Sequence, residues 1–249
     1  MPNDGGPVRH ALVLAAGLGT RLRPLTNHTA KPALDVAGEP AIRRIVRWLA
    51  AEGVTDVVVN LHHLPETITA ILGDGSDLGV HVRYSWEQPE ILGSAGGPRQ
   101  ALDIIGSETF LLVNGDTLTD LALAPFVEAH RASGALVTLC LTPNQRPEMF
   151  GGVLLDAERR VVGFVKRGAA AVGSYHFFST QVVRAEVFRD LEPGKAAATI
   201  GGLYDRLLST RPGAIRGYVS DARYWNMETV DEYERTSASI AGLDRGGAR

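Results

Sequence analysis

Cysteine is nearly absent from this sequence of 249 residues, which contains Cys140 alone. A single thiol forms no intrachain disulfide and no thiolate metal cluster, so both kinds of centre are excluded. The apolar residues around Cys140 are typical of a β-strand. They predict a buried, unreactive thiol rather than a nucleophile.

Long hydrophobic runs and an excess of basic residues are missing as well. No apolar run reaches the roughly 18 residues that a transmembrane helix needs, and the first residues lack the basic start and apolar centre of a signal peptide. A formal net charge of −3 offers no basic footprint for nucleic acid. We therefore expect a cytoplasmic protein that binds neither membrane nor nucleic acid.

The sequence does contain a regular alternation of strand and helix patterns over roughly its first 140 residues. The predicted strands are 8–14, 55–61, 80–86, 109–113 and 136–141, and the predicted helices are 41–52, 65–72, 98–104 and 123–132. This alternation predicts an α/β fold with a mostly parallel sheet. Ligands of such sheets bind at the carboxyl ends of the strands.

The pattern changes after about residue 141. A hairpin is predicted over 151–156 and 160–165, followed by a short strand over 175–178, helices over 185–190 and 199–209, strands over 214–219 and 224–227, and a last helix over 230–241. Thr229 is the expected N-cap of that helix. The length suits one domain, 1–249.

A glycine-rich loop follows the first strand. Gly17 and Gly19 allow the backbone to approach an anion closely, while Thr20 adds a hydroxyl and Arg21 a guanidinium suited to phosphate oxygens. Lys31 supplies a second cation. The loop is neither a Walker A sequence nor a dinucleotide fingerprint. A glycine pair alone is weak evidence, and a tight turn with a solvated arginine is the alternative.

Two further loops carry candidate residues. Asp116 follows the fourth strand in the segment Asn114-Gly-Asp, where a carboxylate can hold Mg²⁺ against phosphate oxygens, although an Asx turn is the alternative. The segment 92–97, Leu-Gly-Ser-Ala-Gly-Gly, by itself indicates only a glycine-rich helix start. We expect His62 and His63 to be structural or interface residues, because no ligands at metal-site spacing accompany them.

The loop sequence from Leu14 to Thr26, followed by Lys31-Pro32, resembles the signature of the sugar-1-phosphate nucleotidyltransferase family. The resemblance extends from about Val8 to Ala241 and is strongest to mannose-1-phosphate guanylyltransferase-like and N-acetylmuramate-1-phosphate uridylyltransferase-like proteins. It implies a Rossmann-like three-layer αβα sandwich with a mostly parallel mixed sheet, of the nucleotide-diphospho-sugar transferase type. A nucleotide-binding half, about 8–141, would precede a sugar-binding half, about 142–241.

The resemblance also implies roles for individual residues. Those expected to contact base and ribose are Ala15, Ala16, Gly17, Glu87, Gly93, Ser94 and Gly96. Gly19, Thr20 and Arg21 would surround the triphosphate, and Lys31 would face the α-phosphate and the sugar phosphate. Asn114 and Asp116 match the family's Asn-Gly-Asp motif, in which the aspartate binds Mg²⁺.

The sequence departs from the family pattern at several positions. Asn226 stands where a second metal-binding aspartate is usual, and Glu228 stands where glycine is usual. Glu228 either compensates for the missing charge or fills the pocket. Ser179 replaces another glycine. Lys166-Arg167, in place of a Glu-Lys pair, favours an acidic substrate or forms a solvated edge.

The sequence therefore predicts a Mg²⁺-dependent enzyme that transfers a nucleoside monophosphate from an NTP, with GTP or UTP favoured, to a sugar 1-phosphate. The alternative is a catalytically weakened relative that binds nucleotide or nucleotide sugar and regulates a partner. The oligomeric state is left open, with a homo-oligomer as one option.

Overall fold

The computed structural model describes residues 6–246. Its strands are β1 (His10–Leu14), β2 (Asp35–Val36), β3 (Glu39–Pro40), β4 (Asp56–Leu61), β5 (His81–Trp86), β6 (Thr109–Asn114), β7 (Thr117–Thr119), β8 (Val137–Pro143), β9 (Gly152–Leu155), β10 (Val161–Val165), β11 (Tyr175–Arg184), β12 (Ile215–Val219) and β13 (Tyr224–Asn226). Its α-helices are α1 (Ala41–Ala51), α2 (Pro65–Leu72), α3 (Gly93–Ile105), α4 (Leu123–Ser133), α5 (Glu186–Arg189), α6 (Tyr204–Thr210) and α7 (Val230–Gly246).

Nine strands form one mixed sheet. Strands β10, β9, β11, β6, β1, β4 and β5 lie side by side, and β8 joins β11 to β12. The pairs β6–β1, β1–β4 and β4–β5 are parallel, whereas β11 runs antiparallel to β6, β8 and β9. The predicted α/β class with a mostly parallel mixed sheet is confirmed.

Helices cover both faces of this sheet, so the molecule has three layers. Successive residues of β1 point to opposite faces: Ala11 and Val13 pack with α1, α2 and α4, whereas Leu12 packs with α3, α5 and α6. Cys140 is buried in the first of these cores, and burial raises the pKa of its thiol, as expected for an inert cysteine. Among the helices of residues 6–246, none has the length and apolar composition needed to cross a bilayer.

Strand β11 is more than twice as long as predicted. The predicted strand ends at Phe178, just before the polar residues 179–181, Ser-Thr-Gln, but the observed strand continues through Val182 and Val183 to Arg184. Ser179 adopts a positive φ of 69°, and the pairing with β8 shifts between Phe177 and Gln181. A local bulge therefore absorbs the polar segment while the strand goes on, in the middle of the sheet.

Three helix boundaries also differ from the predicted ones. Helix α3 begins at Gly93, five residues before the predicted start, so the glycine-rich segment forms its first turns. Regular helix α6 begins only at Tyr204, because Gly201 has a left-handed φ of 80°. Helix α7 continues to Gly246, and Thr229 Oγ1 accepts a 3.3 Å hydrogen bond from the Glu232 amide, which confirms the predicted N-cap.

Candidate functional site

The carboxyl ends of the parallel strands meet at one edge of the sheet. Leu14, the last residue of β1, lies beside Asn60 of β4 and Asn114 of β6. Strand β11 runs the opposite way past this edge, with Thr180 beside Val113. The edge therefore collects the three loops predicted to carry the chemistry, together with the beginning of β11.

The glycine-rich loop folds into a compact turn. Gly19 has a left-handed φ of 61° and precedes a 3₁₀ turn, Thr20–Leu22, while Gly17 is exposed. The Thr26 hydroxyl donates a 2.8 Å hydrogen bond to the Gly19 carbonyl. A Cβ at Gly19 would lie 3.0 Å from Thr26 Cγ2 and 3.1 Å from Lys31 Cβ. Glycine is thus required for both conformation and space, and the turn is held against Lys31.

Lys31 and Asp116 form an ion pair at the base of this loop. The side chain of Lys31 is mostly buried, and its ammonium contacts Asp116 Oδ2. The turn that carries Asp116 is anchored to β1, since the Gly115 amide donates a 2.8 Å hydrogen bond to the Leu14 carbonyl. Two residues predicted from separate loops are thereby brought into direct contact.

Asn226 joins this cluster through Thr117, a residue that sequence reasoning missed. Strands β7 and β13 pair so that Asn226 lies opposite Thr117. The Thr117 Oγ1 lies 3.4 Å from Asp116 Oδ1 and 3.3 Å from Asn226 Oδ1. Carboxylate, amide and hydroxyl oxygens are hard donors of the kind that Mg²⁺ accepts. No local sequence signal indicates Thr117, because the contact depends on pairing across 109 residues.

Glu228 contacts the glycine-rich loop. Its Oε2 lies 2.6 Å from an Arg21 guanidinium nitrogen, and both side chains are substantially exposed, 41% for Glu228 and 64% for Arg21. Arg21 and Glu228 are therefore close in space, as a shared site requires. The Glu228 carboxylate, however, pairs with the cation of the loop rather than with the Asp116–Asn226 cluster.

Glu87 lies beneath the open edge of the sheet and is buried. Its carboxyl group is fully buried (0% exposed), accepts a 2.6 Å hydrogen bond from Asn60 Nδ2 and accepts another of 2.6 Å from the Leu92 amide. Asn60 Oδ1 in turn accepts the Ala15 amide at 2.6 Å. The Glu87–Asn60 pair therefore ties three loops together, while a contact of Glu87 with base or ribose stays a prediction. Asn60 is a second residue that sequence reasoning missed.

The beginning of α3 packs against a later segment of the chain. The Ala197 carbonyl accepts the amides of Ala95 (2.9 Å) and Gly96 (3.2 Å). The Ser94 hydroxyl accepts the Thr199 amide at 2.9 Å. Gly96 is buried, and a Cβ there would collide with a backbone carbonyl of this segment. Ser94 and Gly96 thus hold the segment 195–199, and their contact with a nucleotide stays a prediction.

The remaining predicted residues lie at the edge in different environments. Gly93 and Thr20 are exposed, and Asn114 is half-buried. Ala15 and Ala16 are buried. The exposed surface of this edge is therefore supplied mainly by the glycine-rich turn and by Gly93, while the alanines shape it from below.

Beside this edge, β11 carries two unusual residues. Ser179 has the left-handed backbone described above, and His176 is buried between Phe150 and Tyr224, with ring centroids 4.3 Å and 5.2 Å away. Burial lowers the pKa of His176 to about 4 against the opposing charge of Glu228. His176 Nε2 has no hydrogen-bond partner. Its aromatic neighbours come from distant segments, so no sequence pattern indicates it.

Other polar residues singled out in the sequence have structural roles. His62 Nδ1 donates to the Glu87 carbonyl at 2.8 Å, and His63 Nε2 donates to the Thr26 carbonyl at 3.3 Å. Lys166 and Arg167 are exposed, which agrees with a solvated edge. Over residues 6–246 there is no cluster of three or more His, Cys, Asp or Glu side chains placed to hold a metal.

Comparison with known proteins agrees with this arrangement. The Nucleotidyl transferase family profile matches residues 10–226. The chain is 34% identical over 231 residues to a mannose-1-phosphate guanylyltransferase of Mycobacterium tuberculosis, covering 92% of this chain and 64% of that protein. It is 37% identical over 194 residues to an N-acetylmuramate alpha-1-phosphate uridylyltransferase of Neisseria meningitidis, covering 75% of this chain and 80% of that protein.

Solved structures share the fold. A structure described as a putative glucose-1-phosphate thymidylyltransferase from Bacillus anthracis superposes with a TM-score of 0.82 at 21% identity, covering 93% of this chain and 95% of that one. HddC from Yersinia pseudotuberculosis gives 0.79 at 21% identity, covering 92% and 98%. The profile match spans most of the chain, and both curated relatives exceed 30% identity. The chain therefore belongs to the nucleotidyl transferase family, among the sugar-1-phosphate nucleotidyltransferases.

Proposed function

We propose that this protein transfers a nucleoside monophosphate from an NTP to a sugar 1-phosphate and releases pyrophosphate. The observation that supports it is the contact of Lys31 with Asp116, and through Thr117 with Asn226, beside the glycine-rich turn. Phosphate-binding cations and oxygen donors for a metal thus share one volume. The names of the relatives favour GTP with mannose 1-phosphate, or UTP with N-acetylmuramate 1-phosphate.

The chemistry needs positioning and charge neutralisation more than proton transfer. An oxygen of the sugar phosphate attacks the α-phosphorus, the bond from that phosphorus to the bridging oxygen breaks, and pyrophosphate leaves with the bonding electrons. A phosphate monoester is already ionised at pH 7, so no general base is required. Arg21, Lys31 and the amides of the glycine-rich turn would hold the phosphates and offset their developing charge.

The residues present fit Mg²⁺, which when bound supplies positive charge to the reacting phosphates. Asp116 and Asn226 would hold it, since Mg²⁺ is usually bound by one or two carboxylates together with substrate phosphates. Asn226 contributes an oxygen but no charge. We therefore expect the metal to be held more weakly than by two aspartates.

The test is pyrophosphate release in Mg²⁺, with four nucleoside triphosphates against a panel of sugar 1-phosphates. Asp116→Ala should reduce turnover by at least about a hundredfold, the usual cost of losing one charge-stabilising contact. Asp120→Ala is the matched control, because Asp120 pairs with Arg223 on the surface and touches none of the residues above. Equal turnover in the parent and Asp116→Ala would refute the proposed role of Asp116.

A second function, nucleotide binding without catalysis, is favoured by one pair of observations. Asn226 contributes no negative charge to the candidate metal site, and the Glu228 carboxylate forms an ion pair with Arg21. In that case the parent is silent while Asn226→Asp, alone or with Glu228→Gly, releases pyrophosphate. The substitution fits the structure, because an aspartate oxygen accepts from Thr117 as the asparagine oxygen does. Turnover by the parent that equals or exceeds turnover by Asn226→Asp would reject this alternative.

A further inference from the structure

The two cations predicted to bind phosphate are each paired with a carboxylate. Lys31 pairs with Asp116, and Arg21 pairs with Glu228 across 207 residues of sequence. The site thus contains two positive and two negative groups that balance each other. If a nucleoside triphosphate binds the two cations, both carboxylates lose their partners. They then lie beside the negative charge of the phosphates.

Glu228 is held in this position by the end of the neighbouring helix. Its backbone amide donates to Glu232 Oε2 at 3.1 Å, and Thr229 caps the same helix. Glu232 is buried, so this anchor is fixed. The Glu228 side chain, in contrast, is exposed enough that its ion pair adds little to folding stability and exchanges readily.

We propose that Glu228 is a specificity-determining residue that makes nucleotide binding depend on Mg²⁺. Without the metal, nucleotide has to displace the Glu228 carboxylate from Arg21 and then remain beside it. With Mg²⁺ bound, the displaced carboxylate would lie near a cation. Glu228 would then supply the negative charge that Asn226 lacks. This inference rests on the proposed function, because it assumes that Arg21 binds the nucleotide phosphates.

The test measures binding rather than turnover. Dissociation constants of GTP and UTP are determined calorimetrically in millimolar Mg²⁺ and in EDTA. Glu228→Gln keeps the size of the side chain and removes its charge. We expect it to bind metal-free nucleotide about tenfold more tightly than the parent, and to show a correspondingly smaller gain from Mg²⁺, as an electrostatic coupling of ordinary size requires.

Asp231→Asn is the matched control. It removes one negative charge from the first turn of the same helix, where Asp231 is exposed, and should leave the Mg²⁺ dependence of binding unchanged. The melting temperatures of Glu228→Gln and Glu228→Ala are compared with that of the parent. They show whether a change in binding comes from a change in folding stability.

Two results would overturn the inference. One is metal-free affinity of Glu228→Gln within twofold of the parent, and the other is an equal change in Asp231→Asn. If the parent releases pyrophosphate and either result is found, only this inference fails. Absence of nucleotide binding to the parent in both buffers removes the proposed function as well.

Discussion

At the scale of single residues, Ser179 carries backbone strain next to the candidate site. Its φ of 69° places a residue with a Cβ in the left-handed region, within strand β11. That conformation costs a non-glycine residue about 1–2 kcal/mol. The strained residue lies in the bulge where the pairing of β11 with β8 shifts register.

Ser179→Gly is expected to stabilise the protein by about 1 kcal/mol, because relief of the left-handed strain exceeds the greater entropy that glycine loses on folding. Urea unfolding measures the change. Ser179→Ala keeps the Cβ in the same conformation and should give no such gain. A loss of stability in the glycine variant would show that the serine side chain contributes more than the strain costs.

His176 predicts a pH dependence of stability. Its pKa of about 4 in the folded protein lies below 6.5, so protonation favours the unfolded chain. The contribution is present above pH 6.5 and is lost as the pH falls from 6.5 towards 4. Between pH 7.5 and pH 5 the loss amounts to about 2 kcal/mol.

Replacement by an apolar side chain should remove this dependence. His176→Leu is expected to stay within about 1 kcal/mol of the parent at pH 7.5, since Nε2 has no hydrogen bond to lose, and to surpass the parent at pH 5. Urea unfolding at both pH values measures it. His28→Gln, at an exposed position, is the control, and a parallel pH profile in the leucine variant would contradict the prediction.

At the scale of elements, the buried Asn60–Glu87 pair joins the ends of three strands. Asn60 accepts a hydrogen bond from the Ala15 amide in the loop after β1 and donates one to Glu87. Glu87 in turn accepts a hydrogen bond from the Leu92 amide, just before α3. A Cβ at Gly97 would collide with the Glu87 carboxylate, so the helix packs directly on it. The loops of the site are therefore positioned by a polar network beneath them.

Glu87→Gln should lower the free energy of unfolding by about 2 kcal/mol. Each carboxylate oxygen now accepts a hydrogen bond from an N–H group, and the glutamine amide nitrogen would place a second donor against one of these groups. Urea unfolding is the measurement. Glu90→Gln in the same loop is the control, since Glu90 is exposed. Equal stability of the two variants would show that the network is not important for folding.

At the scale of the whole molecule, β11 unites the two halves of the chain. It comes from the second half, yet it pairs with β6 of the first as well as with β8 and β9. Tyr204 of α6 is fully buried against it and donates a 2.5 Å hydrogen bond to Gln181. A nucleotide-binding half and a sugar-binding half, which remain a prediction, would share one sheet.

Because of this shared sheet, the protein should unfold in urea in one cooperative transition. Tryptophan fluorescence, which reports Trp48, Trp86 and Trp225, and far-ultraviolet circular dichroism should give coincident curves. Gln181→Ala, which cuts the buried contact, should shift both curves together. Two separated transitions would indicate that the halves fold independently.

The sequence by itself determined the α/β class, the order of most elements and the loops that carry the site. Hydrophobic periodicity and the glycine-rich loop are local patterns, and local patterns can be identified from the sequence without the tertiary structure. Only the tertiary structure decided that Thr117 links Asp116 to Asn226, that Glu87 is buried beneath the loops, and that Glu228 pairs with Arg21. Each of these features depends on segments that are distant in sequence. They are determined by strand register and burial, not by neighbouring residues in the sequence.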